Sequence, residues 1–306
     1  MNLTTGFGTA NGTFGELLQG MLPDGRRFLV TLPIDAWATA TFRLTADATV
    51  SVSPAGKTKS RLLATRMLRA YNHHDGGVLE LTGRIPEGKG LASSSADLVA
   101  TARAVADALA VPLDEATTER FLRGIEPSDG VMYAGVVSYY HRQVRLRERL
   151  GFLPALTVVA HDSGGTVDTV RFNRTAPAPE RRTRREYAVL LDALSTAVRA
   201  RDLATVGRIA TRSAELHLGP VPGLRFERMR KICREVGGLG LAVAHSGTYL
   251  GILIDERTDP GSHHERVERA RAQCAELPGA ITVFRTCDSL SSSVRRTGPA
   301  GGDYAF

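Results

Sequence analysis

The sequence is short of lysine, aromatic residues and cysteine, and each shortage excludes something. Of its 39 basic residues only Lys57, Lys59, Lys89 and Lys231 are lysines, so arginine carries nearly all of the excess behind the formal charge of +7. These basic residues are spread along the chain, aromatic residues make up 6% of it, and no recognised nucleic-acid module accompanies them. A nucleic-acid-binding main function is therefore not the leading reading, although a basic field also suits an enzyme with anionic substrates. The three cysteines, Cys233, Cys274 and Cys287, are odd in number and have no CxxC spacing, which argues for a reducing compartment and against a zinc site. No segment approaches the roughly 20 apolar residues of a membrane span. The start, Met1-Asn2-Leu3-Thr4-Thr5-Gly6, lacks the basic-then-apolar pattern of a secretion signal. A cytoplasmic protein with neither membrane nor nucleic-acid partner is expected.

What is present is a globular body. The 306 residues are 42% hydrophobic and 23% charged, enough apolar matter for two compact domains. Strand signals lie at Phe28–Leu32, Ala38–Leu44, Thr49–Ser53 and Val78–Thr82, and a one-faced helix at Leu62–Tyr71. Leu98, Ala102, Val105, Ala106 and Leu109 share a helical face that Val111-Pro112 ends, and a helix from Asp114 to about Gly124 follows. The stretch after Gly130 is ambiguous until a buried strand at Leu156–Ala160. Beyond it, helices are expected at Tyr187–Arg199, Leu203–His217, Phe226–Val236 and His264–Glu276, with strands at Leu241–Ala244, Leu250–Ile254 and Ile281–Arg285. The order suggests an α+β fold with a mostly antiparallel sheet, divided into residues 1–152 and 153–290, and a Ser-, Gly- and Pro-rich tail over 291–306.

The segment richest in chemistry is Pro86-Glu87-Gly88-Lys89-Gly90-Leu91-Ala92-Ser93-Ser94-Ser95-Ala96-Asp97, between a strand and an amphipathic helix. Glycines let a backbone approach an anion, and the first N–H groups of a helix have no intrahelical partners, so such a junction binds phosphate. It is not a Walker A loop: after Gly83-x4-Gly88-Lys89 the magnesium-binding hydroxyl is replaced by Gly90, and the serines come later. The competing explanation is a plain turn with Ser93 as helix cap. Three serines, two close glycines and a lysine exceed what capping requires.

This run, of the form PxxxGLxSSxA, resembles the signature of the GHMP kinases, and Gly88 to Asp97 is most similar to the L-threonine kinases of cobalamin biosynthesis. Gly15-Glu16-Leu17-Leu18-Gln19-Gly20 is similar to the GELIQG element of that group, Glu126-Pro127-Ser128-Asp129 to its EPTD element, and Ala244-His245-Ser246-Gly247-Thr248 to its AHSGT element. Asp162 to Thr169 resembles a further shared segment. The resemblance spans Gly15 to Gly251. It implies a two-domain GHMP kinase fold, with an N-terminal domain like domain 2 of ribosomal protein S5 and a ferredoxin-like C-terminal domain. It also implies an ATP- and Mg2+-dependent transferase that phosphorylates the side-chain hydroxyl of a small amino acid, L-threonine first; a homodimer stays open.

The same resemblance assigns roles. Pro86, Gly88, Lys89, Gly90, Leu91, Ala92, Ser93, Ser94 and Ser95 would hold ATP, with Ser94 offering its hydroxyl to magnesium. Asp129 would serve the acceptor hydroxyl as base or orienting group, and Lys89 would neutralise phosphate charge. A magnesium carboxylate is expected before Asp129, either Glu119 or Glu126, with Glu126 favoured. Glu16 and Gln19, three residues apart on an expected loop, would hold the polar end of the acceptor, with Glu16 facing an ammonium. Asp162 and the Ser246-Gly247-Thr248 turn complete the acceptor side, and His245 reads as a core histidine. The Thr9-Ala10-Asn11-Gly12-Thr13-Phe14 stretch differs from the Pro- and Cys-containing stretch of the threonine kinases, so another hydroxylated amino acid is a rival acceptor. A nucleotide-binding regulator without turnover is the rival of another class.

Overall fold

The computed structural model describes residues 4–165, 178–219, 223–245 and 248–288. Ser246, Gly247, Asp168 and the 291–306 tail lie outside the described residues. Among the described residues ten strands form one sheet: β1 (Thr5–Met21), β2 (Arg27–Thr45), β3 (Val50–Ser53), β4 (Gly76–Gly83), β5 (Val136–Tyr140), β6 (Arg145–Gly151), β7 (Leu156–Asp162), β8 (Gly240–Val243), β9 (Tyr249–Asp255) and β10 (Ala280–Arg285). The order is β10-β7-β9-β8-β1-β2-β4-β3, with the β5–β6 hairpin joined to β2. Every pairing is antiparallel except β3 with β4. The helices are α1 (Thr58–Ala70), α2 (Ser93–Ala108), α3 (Glu115–Leu122), α4 (Arg181–Arg199), α5 (Leu203–Leu218), α6 (Gly223–Glu235) and α7 (Pro260–Cys274).

Two expectations are corrected and one open stretch is resolved. Phe28–Leu32 and Ala38–Leu44 belong to one long strand, β2. The ambiguous stretch after Gly130 is the β5–β6 hairpin. The Gly15–Gly20 segment is strand rather than loop. β1 gives little sequence signal because it is buried along almost its whole length, so apolar and polar residues do not alternate.

The glycines of β1 have a specific use. A Cβ on Gly6 would meet Ala104 O and Ala108 N at 2.2 Å, and one on Gly8 would meet Ala100 O at 2.2 Å. On α2 the residues facing them are Ala100, Ala104 and Ala108, one small side chain per turn. Strand and helix thus touch backbone to backbone, which fixes the direction in which the N-terminus of α2 points. The main core lies between these layers and contains Phe14, Phe28, Phe42, Leu98, Val158 and Tyr187, drawn from both halves of the chain. A second core gathers Phe226, Met229, Ile232, Leu250, Ile252 and Val267 under α6 and α7.

Candidate active site

The loop between β4 and α2 turns on left-handed residues in alternate positions: Gly88 (φ 67°), Gly90 (φ 74°) and Ala92 (φ 60°). For the glycines this costs nothing, whereas Ala92 is held there against its Cβ. Ala92, not Ser93, is the N-cap of α2, and among the described residues no side chain caps the helix. Its first N–H groups therefore face the loop with the helix dipole behind them, and they fit a phosphate. The loop is pinned from β1, where Thr13 N–H donates to Leu91 O at 3.2 Å. Gly12 allows this approach, since a Cβ there would lie 2.7 Å from Leu91 O.

The three serines separate into roles. Ser94 is exposed, and its hydroxyl donates to the carboxylate of Glu126, which also pairs with Lys59. Ser95 is buried and faces Asp129, its Oγ accepting from the Asp129 N–H at 3.0 Å and lying 3.3 Å from the carboxylate. Asp129 is half-buried. Loss of solvation pushes its carboxyl up to about 6; the Ser95 hydrogen bond opposes that, and the charge of Glu126 adds to it.

Glu119, the rival magnesium carboxylate, is turned elsewhere. It accepts from Tyr133 OH at 2.9 Å, from Leu146 N–H at 2.7 Å and from Arg123 at 3.1 Å, tying α3 to the β5–β6 hairpin. Among the described residues no group of three His, Cys, Asp or Glu side chains is placed to hold a metal ion. The Ser94–Glu126 pair offers one hydroxyl and one carboxylate, a donor set that fits a magnesium ion taking its other ligands from phosphate and water.

Glu16 is 1% exposed, and its Oε2 accepts no hydrogen bond among the described residues. Burial first, and then the charge of Asp129, hold its carboxyl well above the usual range. Glu16 and Gln19 share a face of β1 because of a bulge. Glu16 pairs with Thr31, Leu18 with Val30 and Gln19 with Leu29, so Leu17 is the extra residue and restores the alternation around itself. The side chain of Gln19 bridges to β8: its amide lies 3.5 Å from Val243 O and its Oε1 lies 2.6 Å from His245 Nδ1.

Lys89 reaches away from the helix start, to Asp162 at 2.7 Å and to Gly165 O at 2.6 Å. Asp162 also accepts from the Thr248 hydroxyl and from Gly164 N–H. Burial raises its carboxyl, and the bonds from Lys89, Thr248 and Gly164 outweigh that and hold it below the usual range. The expected acceptor residues Asp162 and Thr248 are thus brought to the phosphate loop through Lys89. Lys57 pairs with Glu87 and Asp97 across the other side of the loop. There a cleft of about 360 Å3, lined by Ala38, Pro54, Leu81, Ile85 and Ser93 among others, adjoins the helix start. Three of the four lysines therefore ring one loop. Lys57 and Lys59 went unassigned from sequence, and their scarcity in an arginine-rich chain was the signal that could have found them.

A left-handed Gly-rich loop opening onto an uncapped helix fits a phosphate group, and the Ser95-held carboxylate of Asp129 lies beside it. The N-terminal domain of the GHMP kinases matches residues 60–135 and their C-terminal domain residues 194–278, and the chain belongs to the GHMP kinase family. Among curated proteins it is similar to the L-threonine kinase of Salmonella typhimurium, 28% identical over 254 residues, covering 79% of this chain and 81% of that one. It is similarly related to the L-threonine kinase of Citrobacter freundii, at 27% over 251 residues, covering 79% and 83%. Among solved structures, the fold resembles homoserine kinase from Cytophaga hutchinsonii, with a TM-score of 0.73 at 16% identity over 93% of this chain and 95% of that one. It also resembles L. major mevalonate kinase, with a TM-score of 0.63 at 16% identity over 94% and 97%.

Proposed function

We propose that this GHMP kinase transfers the γ-phosphoryl group of ATP to the side-chain hydroxyl of L-threonine, giving ADP and O-phospho-L-threonine. The observation that carries the reading is the contact of Asp129 with Ser95 in the first turn of α2, which brings a carboxylate beside a helix start that fits a phosphate. The two relatives named L-threonine kinase support the acceptor.

Each residue then has a task. The backbone of Gly88 to Ser95 receives the triphosphate, and Lys57, Lys59 and Lys89 supply positive charge around it. The cleft lined by Ala38, Pro54, Leu81 and Ile85 takes the nucleoside. Ser94 and Glu126 would hold a magnesium ion, which when bound would offset phosphate charge. Asp129 accepts the hydroxyl proton as the acceptor oxygen bonds to the γ-phosphorus and the bond from that phosphorus to the β,γ-bridging oxygen breaks. A carboxyl near 6 is mostly ionised at neutral pH, yet basic enough to take that proton. Glu16 faces the acceptor ammonium, a cation that would relieve a buried carboxylate. Residues 1–152 and 153–290 serve as the two domains of the kinase, and the protein works in the cytoplasm on soluble partners. Among the described residues no helix is long and apolar enough to cross a membrane.

The test is ADP release from Mg-ATP across L-threonine, L-serine, L-homoserine and other hydroxylated amino acids. The reading expects L-threonine to give the highest kcat/KM. Preference for another of these acceptors would overturn the substrate, and tight ATP binding without turnover on any of them would overturn the enzyme.

A further inference from the structure

Lys89 sits between two left-handed glycines, Gly88 and Gly90, in the phosphate loop of the first half of the chain. Its ammonium is held by the second half. It lies 2.7 Å from Asp162 Oδ2, at the end of β7, and 2.6 Å from Gly165 O. Lys57 and Lys59 differ in this respect, since their partners Glu87, Asp97 and Glu126 come from the first half like themselves.

Asp162 is fixed from several directions. Its backbone is paired on both sides, with Tyr249 of β9 and with Ala280 of β10. Its Oδ1 accepts from the Thr248 hydroxyl and from Gly164 N–H at 3.0 Å, and its Oδ2 is given to Lys89. Thr248 is held in turn: its carbonyl accepts from Arg225 at 2.8 Å and from Ser163 N–H at 3.3 Å. Burial raises the Asp162 carboxyl, but the bonds from Lys89, Thr248 and Gly164 outweigh it. The charge that holds the lysine is therefore present at neutral pH.

Both oxygens of Asp162 are thus engaged, and its side chain is 9% exposed. An acceptor ammonium or hydroxyl would have to displace Lys89 or Thr248 and leave that group unpaired in a largely buried place. For Lys89 the same contacts are an advantage. A lysine is a point charge on a flexible four-carbon stem, and here the stem is ordered with no ligand bound. An ammonium has three N–H donors; Asp162 and Gly165 engage two, which leaves one for a phosphate oxygen.

We infer that Asp162 is a positioning residue for the triphosphate: it acts through Lys89, whose ammonium it fixes beside the phosphate loop, and not by touching the acceptor. Thr248, which holds the other carboxylate oxygen, belongs to the same arrangement. The inference rests on the kinase reading above for ATP as the ligand, and is independent of which acceptor is used.

The experiment is a double-mutant cycle read by calorimetric binding of Mg-ATP to the full chain, with KM for ATP and for L-threonine measured beside it. Lys89→Met and Asp162→Asn should each weaken Mg-ATP binding by about 10-fold, and the double variant should be no more than about threefold weaker than Lys89→Met. In Asp162→Asn the KM for L-threonine should stay within about twofold of the unmodified protein. Thr248→Val keeps the side-chain shape and loses the hydroxyl; it should weaken Mg-ATP by about threefold, and it decides the question if Asp162→Asn does not fold. Losses that multiply to about 100-fold in the double variant would mean that Asp162 acts without Lys89, and would overturn the inference. So would Mg-ATP affinity left unchanged by Asp162→Asn, or by Thr248→Val where that variant decides, and a raised KM for L-threonine would return Asp162 to the acceptor. Because the cycle needs no acceptor, failure of every hydroxylated amino acid to turn over would remove the acceptor reading while ATP binding still decides this one. Absence of Mg-ATP binding by the unmodified protein would overturn both.

Discussion

The Oγ of Ser95 lies 3.0 Å from the backbone nitrogen of Asp129 and 3.3 Å from its carboxylate, so the first turn of α2 holds the group expected to take the acceptor's proton. The preceding serine, Ser94, turns the other way, toward Glu126. One helix start thus orders both Glu126 and Asp129.

Replacing Asp129 by Asn keeps the bond from Ser95 to the backbone and removes the base. kcat should fall by about 10^2- to 10^4-fold with nucleotide binding retained. In the unmodified protein the acceptor kcat/KM should rise with pH through about 6 and level off above it, because the ionised form is the active one. Steady-state kinetics between pH 5 and pH 8 check both; a limb that persists in the Asn variant belongs to another group.

Ser94→Ala and Glu126→Gln should raise the magnesium concentration needed for half-maximal rate by about 10- to 100-fold each, the usual cost of losing a metal-site group. Glu119→Gln should instead lower the melting temperature, since Glu119 ties α3 to the hairpin. Magnesium titrations of the initial rate, with melting curves beside them, separate the two glutamates.

Glu16→Gln should weaken the acceptor and stabilise the fold. The folded carboxyl is raised above its ordinary value of 4.5, so below that pH both side chains are neutral and the proteins should melt together. As pH rises through the folded value the unmodified chain loses stability that the Gln variant keeps. Melting curves at pH 4.5 and pH 8 test the sign: the variant should melt higher only at the upper pH.

Gly8→Ala puts a methyl group 2.2 Å from Ala100 O. It should cost about 1–3 kcal/mol of stability and raise KM for ATP, because the phosphate end of α2 is aimed by that contact. Chemical denaturation and ATP kinetics on the same preparation provide the check.

Much of this arrangement is legible in the chain, for physical reasons that differ by element. The phosphate loop and the start of α2 are local in sequence, and their glycines and serines show it. The EPSD turn is also local, so Asp129 stands out in the sequence, but whether Glu119 or Glu126 approaches Ser94 depends on which way α3 packs. β1 escapes a periodicity reading because it is buried along its length and interrupted by bulges. The bulge at Leu17 likewise hides that Glu16 and Gln19 share a face of β1, since residues three apart on a regular strand point to opposite faces. His141, His217 and His245, whose rings meet, are the least legible feature, because they come from the turn after β5, from α5 and from the turn after β8.

The most direct test of the central claim is to incubate the unmodified protein and Asp129→Asn with γ-labelled ATP, Mg2+ and L-threonine, and to identify the labelled product. The account predicts labelled O-phospho-L-threonine from the unmodified protein and about 10^2-fold less or lower from the variant. Label that appears only as inorganic phosphate, or equal transfer by both proteins, would contradict it.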